Sequence, residues 1–344
     1  MPETLPDLAT PAGWLPMVFM LIMGIAILAY VLLDGYDLGV GMLLLLADDA
    51  DKNRMIASIG PFWDANETWL VLGIGILLVA FPVAHGVILG ALYLPVALML
   101  LGLILRGVAF DFRVKAKDEH RTAWDRSFFA GSLIAALAQG YMLGRVVTGF
   151  AADTWSFAFA ILIGFCLASG YVVLGATWLV IKTTAALQRH AIDWARRAIV
   201  LLAIGIAAVS VATPLVSRQV FEKWFALEQL MVLWPIPAMT AGMFFIAYRS
   251  LGRLPVRLDA DNPYGDWVPF AATVVIFMLA FHGLAYSLYP WLVLDRMTIW
   301  DAAAAPESLT VILVGTAFVL PVIIGYSAYA YRVFGGKAVD LEYY

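Results

Sequence analysis

The sequence predicts an all-α polytopic membrane protein, and three observations carry that prediction. Hydrophobic residues make up 63% of the 344 residues against 13% charged, and mean hydropathy is +0.89. A soluble domain is about half apolar and about a quarter charged. The apolar runs reach the ~20 residues that a helix needs to cross the hydrocarbon core, and they are rich in Leu, Ala and Gly without the period-2 alternation of a membrane barrel.

Nine spans follow in chain order, at approximately 14–46, 56–81, 84–110, 127–149, 155–181, 198–216, 225–248, 268–290 and 308–331. At ~1.5 Å per residue the first would reach about 50 Å against a core of ~30 Å. Asp34-Gly35-Tyr36-Asp37 interrupts it, so its second part is expected to extend beyond the core or to bend at the glycine. Pro95, Pro235, Pro237 and Pro321 are expected as mid-span kinks. Gly73 and Gly75 permit close helix contact. The longest polar stretches, 111–126 and 249–266, are expected to be loops, which leaves no room for a soluble domain.

Sixteen of the 21 Lys and Arg residues fall at the ends and in the loops after spans one, three, five, seven and nine. Four (Arg145, Arg218, Lys223, Arg296) fall on the other side, and Arg106 lies within span three. This asymmetry places the C-terminus in the cytoplasm and the N-terminus outside. The first thirteen residues, with Pro2, Glu3, Pro6, Asp7 and Pro11, are the opposite of a basic signal-peptide start, so the first run reads as a retained span. A net charge of −4 gives no reason to expect a nucleic-acid partner. Cys166 is the single cysteine, cannot form an internal disulfide and reads as a buried thiol. Trp14, Trp124, Trp155, Trp224, Trp267, Trp291 and Tyr331, near span ends, read as interface belts. Gly35-Tyr36-Asp37-Leu38-Gly39 is faintly echoed by Gly170-Tyr171-Val172-Val173-Leu174-Gly175, which suggests a four-plus-four duplication followed by a ninth span.

The chemistry concentrates in the first third of the chain. Trp63-Asp64-Ala65-Asn66-Glu67-Thr68-Trp69 opens directly into an uncharged run, Leu70 to Phe81. A carboxylate placed at membrane depth costs roughly 2.5 kcal/mol even on the mildest insertion scale. The alternating topology brings Asp34 and Asp37 of span one, Asp64 and Glu67 of span two, and Arg106 and Asp111 of span three into one cytoplasmic-side layer. Asp34/Asp37 and Asp64/Glu67 are i,i+3 pairs, so each pair shares a helix face, and Asn66 and Thr68 add hydrogen-bonding capacity. Two readings stay open here. Arg106 neutralises one acid while others reach water, and the group locks three helices together; or the acids form a protonatable chain open to the cytoplasm, since five of them outnumber one arginine.

The four histidines are His85, His120, His190 and His282, of which only His282 lies well inside a span, where it reads as a hydrogen-bonded packing group. They offer no pair at matching depth for a bis-histidine haem. Glu228 reads as a lone acid near the outer interface.

Asp34-Gly35-Tyr36-Asp37-Leu38-Gly39-Val40-Gly41, Pro61-Phe62-Trp63-Asp64-Ala65-Asn66-Glu67-Thr68-Trp69 and Arg106-Gly107-Val108-Ala109-Phe110-Asp111-Phe112-Arg113 together resemble subunit II of the cytochrome bd-type quinol oxidases. The likeness covers the chain in length, span count and motif order, and is most specific in the first 126 residues. Glu67-Thr68 looks closer to the cyanide-insensitive branch.

The resemblance implies a respiratory complex in the bacterial inner membrane that oxidises quinol and reduces dioxygen to water. It implies a haem-bearing subunit I as partner, holding haem b and haem d (or a third haem b). It implies two four-helix bundles, 14–149 and 155–290, plus a peripheral helix, 308–331, within one membrane domain spanning 1–344. It allows a structural quinone within subunit II and a small single-span third subunit. By position, Asp64 resembles the acid that joins the cytoplasmic proton path at the subunit interface, and Trp69 the residue at the mouth of a lateral dioxygen channel. Asp34, Asp37, Glu67 and Asp111 are candidates for the same proton path, with Arg106 as charge partner. Trp63, Asn66, Gly35, Gly39 and Gly41 are expected to be structural. The alternative from another class is a proton-coupled secondary transporter using the membrane acids; it would need a path outward, and nothing polar in the sequence is expected to continue one.

Overall fold

The computed structural model describes residues 6–338 of the chain; Pro2 and Glu3 of the acidic start lie outside them. Nine helices among the described residues are long and apolar enough to cross a membrane. In order the elements are α1 (Pro11–Leu43) with a 3₁₀ turn (Leu44–Leu46), α2 (Asp49–Ala57), α3 (Trp63–Ala80), α4 (Pro82–Ala91), α5 (Tyr93–Lys115) and α6 (Asp118–Val147). There follow α7 (Thr154–Lys182), α8 (Ala185–Val216), α9 (Arg218–Phe225), α10 (Leu227–Leu233), α11 (Pro235–Asp259) and α12 (Val268–Leu288). A short antiparallel hairpin, β1 (Trp291–Val293) and β2 (Met297–Thr298), leads through α13 (Ile299–Ala302) to α14 (Pro306–Val333).

Prolines mark the starts of helices more than their middles. Pro11, Pro82, Pro235 and Pro306 each occupy the first helical position of α1, α4, α11 and α14. There the missing N–H has no intrahelical partner to lose and the fixed φ suits the helix. Pro95 and Pro237 fall in the first turns of α5 and α11, after breaks at Leu92 and Trp234, so three of the four expected kinks are helix starts; Pro321 alone of the four is interior to a helix. The expected third span is accordingly two helices, α4 and α5, and the seventh combines α10 with α11. Side-chain caps set other starts: Asp153 accepts from the Ser156 backbone N–H at 3.0 Å ahead of α7, and Thr298 and Asp301 form a reciprocal capping box at α13.

The two polar stretches expected as loops are largely helical. Residues 111–115 close α5, 118–126 open α6 and 249–259 close α11. Ion pairs between helix ends explain this. Arg113 pairs with the buried Asp125 and donates to Asn53 Oδ1 at 2.8 Å, Lys52 Nζ lies 3.3 Å from Asp125 Oδ2, and Arg189 Nη2 lies 2.6 Å from Asp259 Oδ1. Asp34 to Asp37 do not interrupt α1 either, because their carboxylates find partners inside the protein and the backbone stays helical throughout.

Helix α1 is the central post. α3, α6, α7 and α14 all pack against it, while α5 pairs with α6, α8 with α7, and α11 with α12. α14 runs beside α3 and α1 with Val311, Phe318 and Val322 exposed on its outer side. The closest approach is between α1 and α7. A Cβ on Gly39 would sit 1.8 Å from the Tyr171 carbonyl oxygen, and one on Gly175 would sit 2.4 Å from the Gly39 carbonyl carbon. The two echoed glycine-tyrosine segments therefore pack directly on each other, and only glycine lets the backbones meet. Tyr36 stacks on Trp178 at 4.2 Å between centroids, and Trp178 Nε1 donates to the Ser58 carbonyl at 3.1 Å. These contacts fix the depth and rotation of the acidic turn of α1.

Gly39→Ala is expected to separate α1 from α7. Overpacking costs about 1–3 kcal/mol where neighbours can shift, and here the neighbour is backbone. The purified protein should show a clearly lowered thermal unfolding midpoint or fail to accumulate; an unchanged melt would mean that the two helices do not need this contact.

Candidate functional site

Asp34 and Asp37 lie one turn apart on α1 and are both fully buried. Arg106 of α5 reaches them from the side with 2% of its surface exposed, and its Nη2 lies 2.7 Å from Asp34 Oδ1. The same Nη2 also pairs with Glu67 of α3, which keeps 32% of its side chain exposed. Asp37 is held from another direction. Asn66 Nδ2 donates to Asp37 Oδ2 at 2.8 Å and to the Tyr36 hydroxyl at 2.9 Å. One guanidinium thus stands among three carboxylates contributed by two helices, and an amide donates to one oxygen of the acid that the guanidinium does not directly pair.

The polar network extends beyond this cluster in two directions. Towards the end of α14, Tyr331 donates to Asn66 Oδ1 at 3.0 Å and its hydroxyl lies 2.5 Å from that of Tyr36. Asn66, Tyr36 and Tyr331 close a hydrogen-bonded ring, so Tyr331 is a network member and not the interface-belt residue expected. In the other direction Gln139 of α6 donates from Nε2 to the Tyr30 hydroxyl at 2.7 Å and accepts from the Tyr171 hydroxyl at 2.6 Å. Tyr30 precedes Asp34 by one helical turn, on the same face of α1. Polar groups therefore continue past the acids towards the N-terminal end of α1, where an apolar stop was expected. Tyr30, Tyr36, Gln139, Tyr171 and Tyr331 were not singled out as site residues. A lone amide at Gln139 inside Ala136-Leu137-Ala138-Gln139-Gly140 was the readable signal, since buried amides in a span must find partners.

The expected layer of five acids is thus a cluster of three. Asp64 and Asp111 are exposed and do not join it. Helical geometry explains Asp111: five residues beyond Arg106 at ~100° each turn it about 140° away from the cluster. Asp64, in the first turn of α3, points outward while Glu67 turns towards Arg106. Trp63 packs against Phe110 at 5.2 Å between centroids. Trp69 is buried against Ala26 and Tyr30 of α1, with Leu320 and Ile323 of α14 alongside. Gly35 faces the Tyr171 ring and Gly41 faces Ser132 of α6.

His282 Nδ1 lies 2.6 Å from the Met278 carbonyl of its own helix, as expected for a hydrogen-bonded group, and its surface is exposed; His85, His120 and His190 lie on α4, α6 and α8. Among the described residues no group of three or more His, Cys, Asp or Glu is placed to hold a metal ion.

Fold and site define a polytopic membrane protein that carries a buried ionic network. The sequence profile of cytochrome bd terminal oxidase subunit II matches residues 15–334. The cytochrome bd-I ubiquinol oxidase subunit 2 of Escherichia coli strain K12 is 27% identical over 366 residues, covering 92% of this chain and 94% of that protein. The cytochrome bd ubiquinol oxidase subunit 2 of Bacillus subtilis strain 168 is 26% identical over 341 residues, covering 94% and 96%. In fold, the chain matches one from the bd oxidase of Geobacillus thermodenitrificans with a TM-score of 0.75, at 17% identity and over 94% of this chain and 99% of that one. The chain belongs to the cytochrome bd terminal oxidase subunit II family, and so is a non-haem accessory subunit of an oxidoreductase complex. Family membership sets the transporter alternative aside.

Arg106→Gln should leave Asp34 and Glu67 facing each other without a counter-charge. Breaking a buried ion pair from one side costs about 3–5 kcal/mol, so the variant complex should unfold at a markedly lower temperature. Adding Asp34→Asn should recover part of that loss. Strictly additive effects in this double-mutant cycle would show that the two side chains are not coupled.

Proposed function

We propose that this chain is the non-haem subunit of a quinol:dioxygen oxidoreductase in the bacterial inner membrane, where it stabilises a haem-bearing subunit I and contributes to cytoplasmic proton uptake and dioxygen access. The observation that supports a proton role is the excess of acid around one arginine: Arg106 pairs with the buried Asp34 and the partly exposed Glu67, and Asp37 lies buried beside them. Such a group keeps its net charge low by binding a proton, because uncompensated charge at membrane depth is costly. Haem b and haem d, or a third haem b, held by subunit I would carry the electrons. This chain's own residues hold and pass protons and pack against the partner.

The Lys and Arg distribution supports an N-terminus outside and a C-terminus in the cytoplasm. The acidic turn, Arg106 and Tyr331 then lie towards the cytoplasmic side. The helix pairings support two four-helix bundles, one of α1, α3, α5 and α6 and one of α7, α8, α11 and α12, with α14 peripheral. Exposed Asp64 and Asp111 belong to helices that also expose Val71, Leu78, Leu101 and Ile104, a mixed surface suited to an apolar partner with polar groups at one end. Protons would cross between subunits at Asp64, with Asp111 beside the same route and Glu67, Asp34 and Asp37 behind it. Trp69, buried where α1, α3 and α14 meet, would guide dioxygen.

Asp64→Asn is expected to lower oxygen-consumption turnover several-fold at near-normal haem content, because the exposed carboxylate has no hydrogen bond or ion pair to lose among the described residues. Unchanged turnover would remove Asp64 from the proton route, and loss of haem would make its role structural. For the dioxygen role, replacing Trp69 with a polar residue should raise the apparent KM for dioxygen more than it lowers kcat; equal effects on both, or none, would count against it.

A further inference from the structure

Helix α9 joins α8 to the α10–α11 run, and both of those are long and apolar enough to cross a membrane, so α9 lies at a membrane surface. Its inward side is fixed to the last turn of α12. Lys223 Nζ donates to the carbonyls of Tyr286 at 2.5 Å and Tyr289 at 2.7 Å, and Trp224 Nε1 donates to Ser287 Oγ at 2.7 Å. Val220, on the same side, is fully buried. Lysine here serves the free carbonyls that every helix leaves at its C-terminal end, and in doing so sets the rotation of α9. The outward side carries two stripes of exposed residues. In one, Arg218 Nε donates to Glu222 Oε1 at 2.8 Å. In the other, the rings of Phe221 and Phe225 lie 4.8 Å apart between centroids. Residues four apart sit one above the other on a helix, so the ionic and aromatic stripes run parallel along α9, about 60° apart around its axis.

We propose that α9 is an interfacial anchor, with its Phe221–Phe225 stripe seated in bilayer lipid and its Arg218–Glu222 stripe facing water. Rings left in water forfeit the burial of their apolar surface, and an ion pair turned into hydrocarbon loses its hydration. One rotation of the helix satisfies both stripes, and Lys223 and Trp224 hold the helix at a fixed rotation. The neighbouring chain selects lipid over a soluble partner. Leu215 before α9, and Leu227 and Met231 after it, are exposed as well, so the aromatic stripe continues the apolar surface of the membrane-crossing helices on either side. A helix with its exposed side divided in this way lies in the plane of the interface, its apolar side about 5–10 Å into the boundary between headgroups and acyl chains. Because α9 grips the end of α12, the same anchor fixes how deeply α12 sits in the bilayer.

Spin-label accessibility tests the anchor on the purified oxidase complex in nanodiscs of phosphatidylethanolamine and phosphatidylglycerol. The native cysteines, Cys166 among them, are first replaced. Phe221→Cys, Phe225→Cys and Glu222→Cys then each carry one nitroxide. All three positions are exposed, the Arg218–Glu222 pair is a surface one whose loss costs little, and the Lys223 and Trp224 contacts stay intact in every variant. Collisions are measured by electron paramagnetic resonance with dioxygen, which concentrates in lipid, and with a water-soluble nickel chelate. The ratio of dioxygen to chelate collisions should be several-fold higher at 221 and 225 than at 222. Equal access of the chelate to all three labels would place the aromatic stripe in water. Exclusion of both reagents from 221 and 225 would place a protein over it. Either result overturns the proposal. Turnover enters none of these outcomes, so they stand apart from the proton-uptake reading.

Discussion

A single guanidinium holds the acidic heart of this subunit together. Arg106 is stripped of nearly all solvent and meets Asp34 from α1 and Glu67 from α3 through one nitrogen. Taking such groups out of water costs several kcal/mol per ion, and their attraction repays it only when geometry and supporting hydrogen bonds are good. The surrounding fold provides that geometry. α1 is pinned against α7 by direct backbone contact, and the start of α3 is held by the Asn66 amide, which binds side chains from α1 and α14 at once. The ionic cluster is therefore as much a product of helix register as its cause. A one-residue rotation of α1 would point both aspartates about 100° away from their partners.

Charge balance gives the cluster its character. Three carboxylates stand around one arginine, two of them fully buried and the third partly exposed, and burying uncompensated charge is costly. Asn66 marks the division of labour. It gives Asp37 a neutral donor where Asp34 and Glu67 have a cation, so the acids are chemically unequal despite their closeness. The ring of Asn66, Tyr36 and Tyr331 then ties the unequal member to the last long helix of the chain.

Much of this was legible in the sequence, and the failures have physical causes. Membrane class and the number of long helices follow from composition and run length, quantities that tertiary contacts hardly change. Arg106, Asp34, Asp37 and Glu67 could be paired because alternating topology puts the end of one span beside the start of the next. Asp111 could not be excluded the same way, since depth alone ignores the angular position that turns it from Arg106. Polarity along 111–126 and 249–266 suggests loops, but pairs between helix ends such as Arg113 with Asp125 keep most of those polar turns helical. The prolines misled for a related reason, as Pro95 and Pro235 mark breaks that run length had bridged. Tyr331 was invisible as a network residue because its partners, Tyr36 and Asn66, lie 295 and 265 residues away.

The contact of Gly39 with Tyr171 and Gly175 has a mechanical consequence. Helices that meet through side chains can slide by repacking them, which is how shear motions proceed. α1 and α7 have no such cushion at this level, so any sliding drives one backbone into the other. The two echoed segments act as a fixed axle through the molecule. Movement during a catalytic cycle must then come from hydroxyl and carboxyl rotations around that axle, or from outer helices such as α11 and α14 that are not pinned in this way.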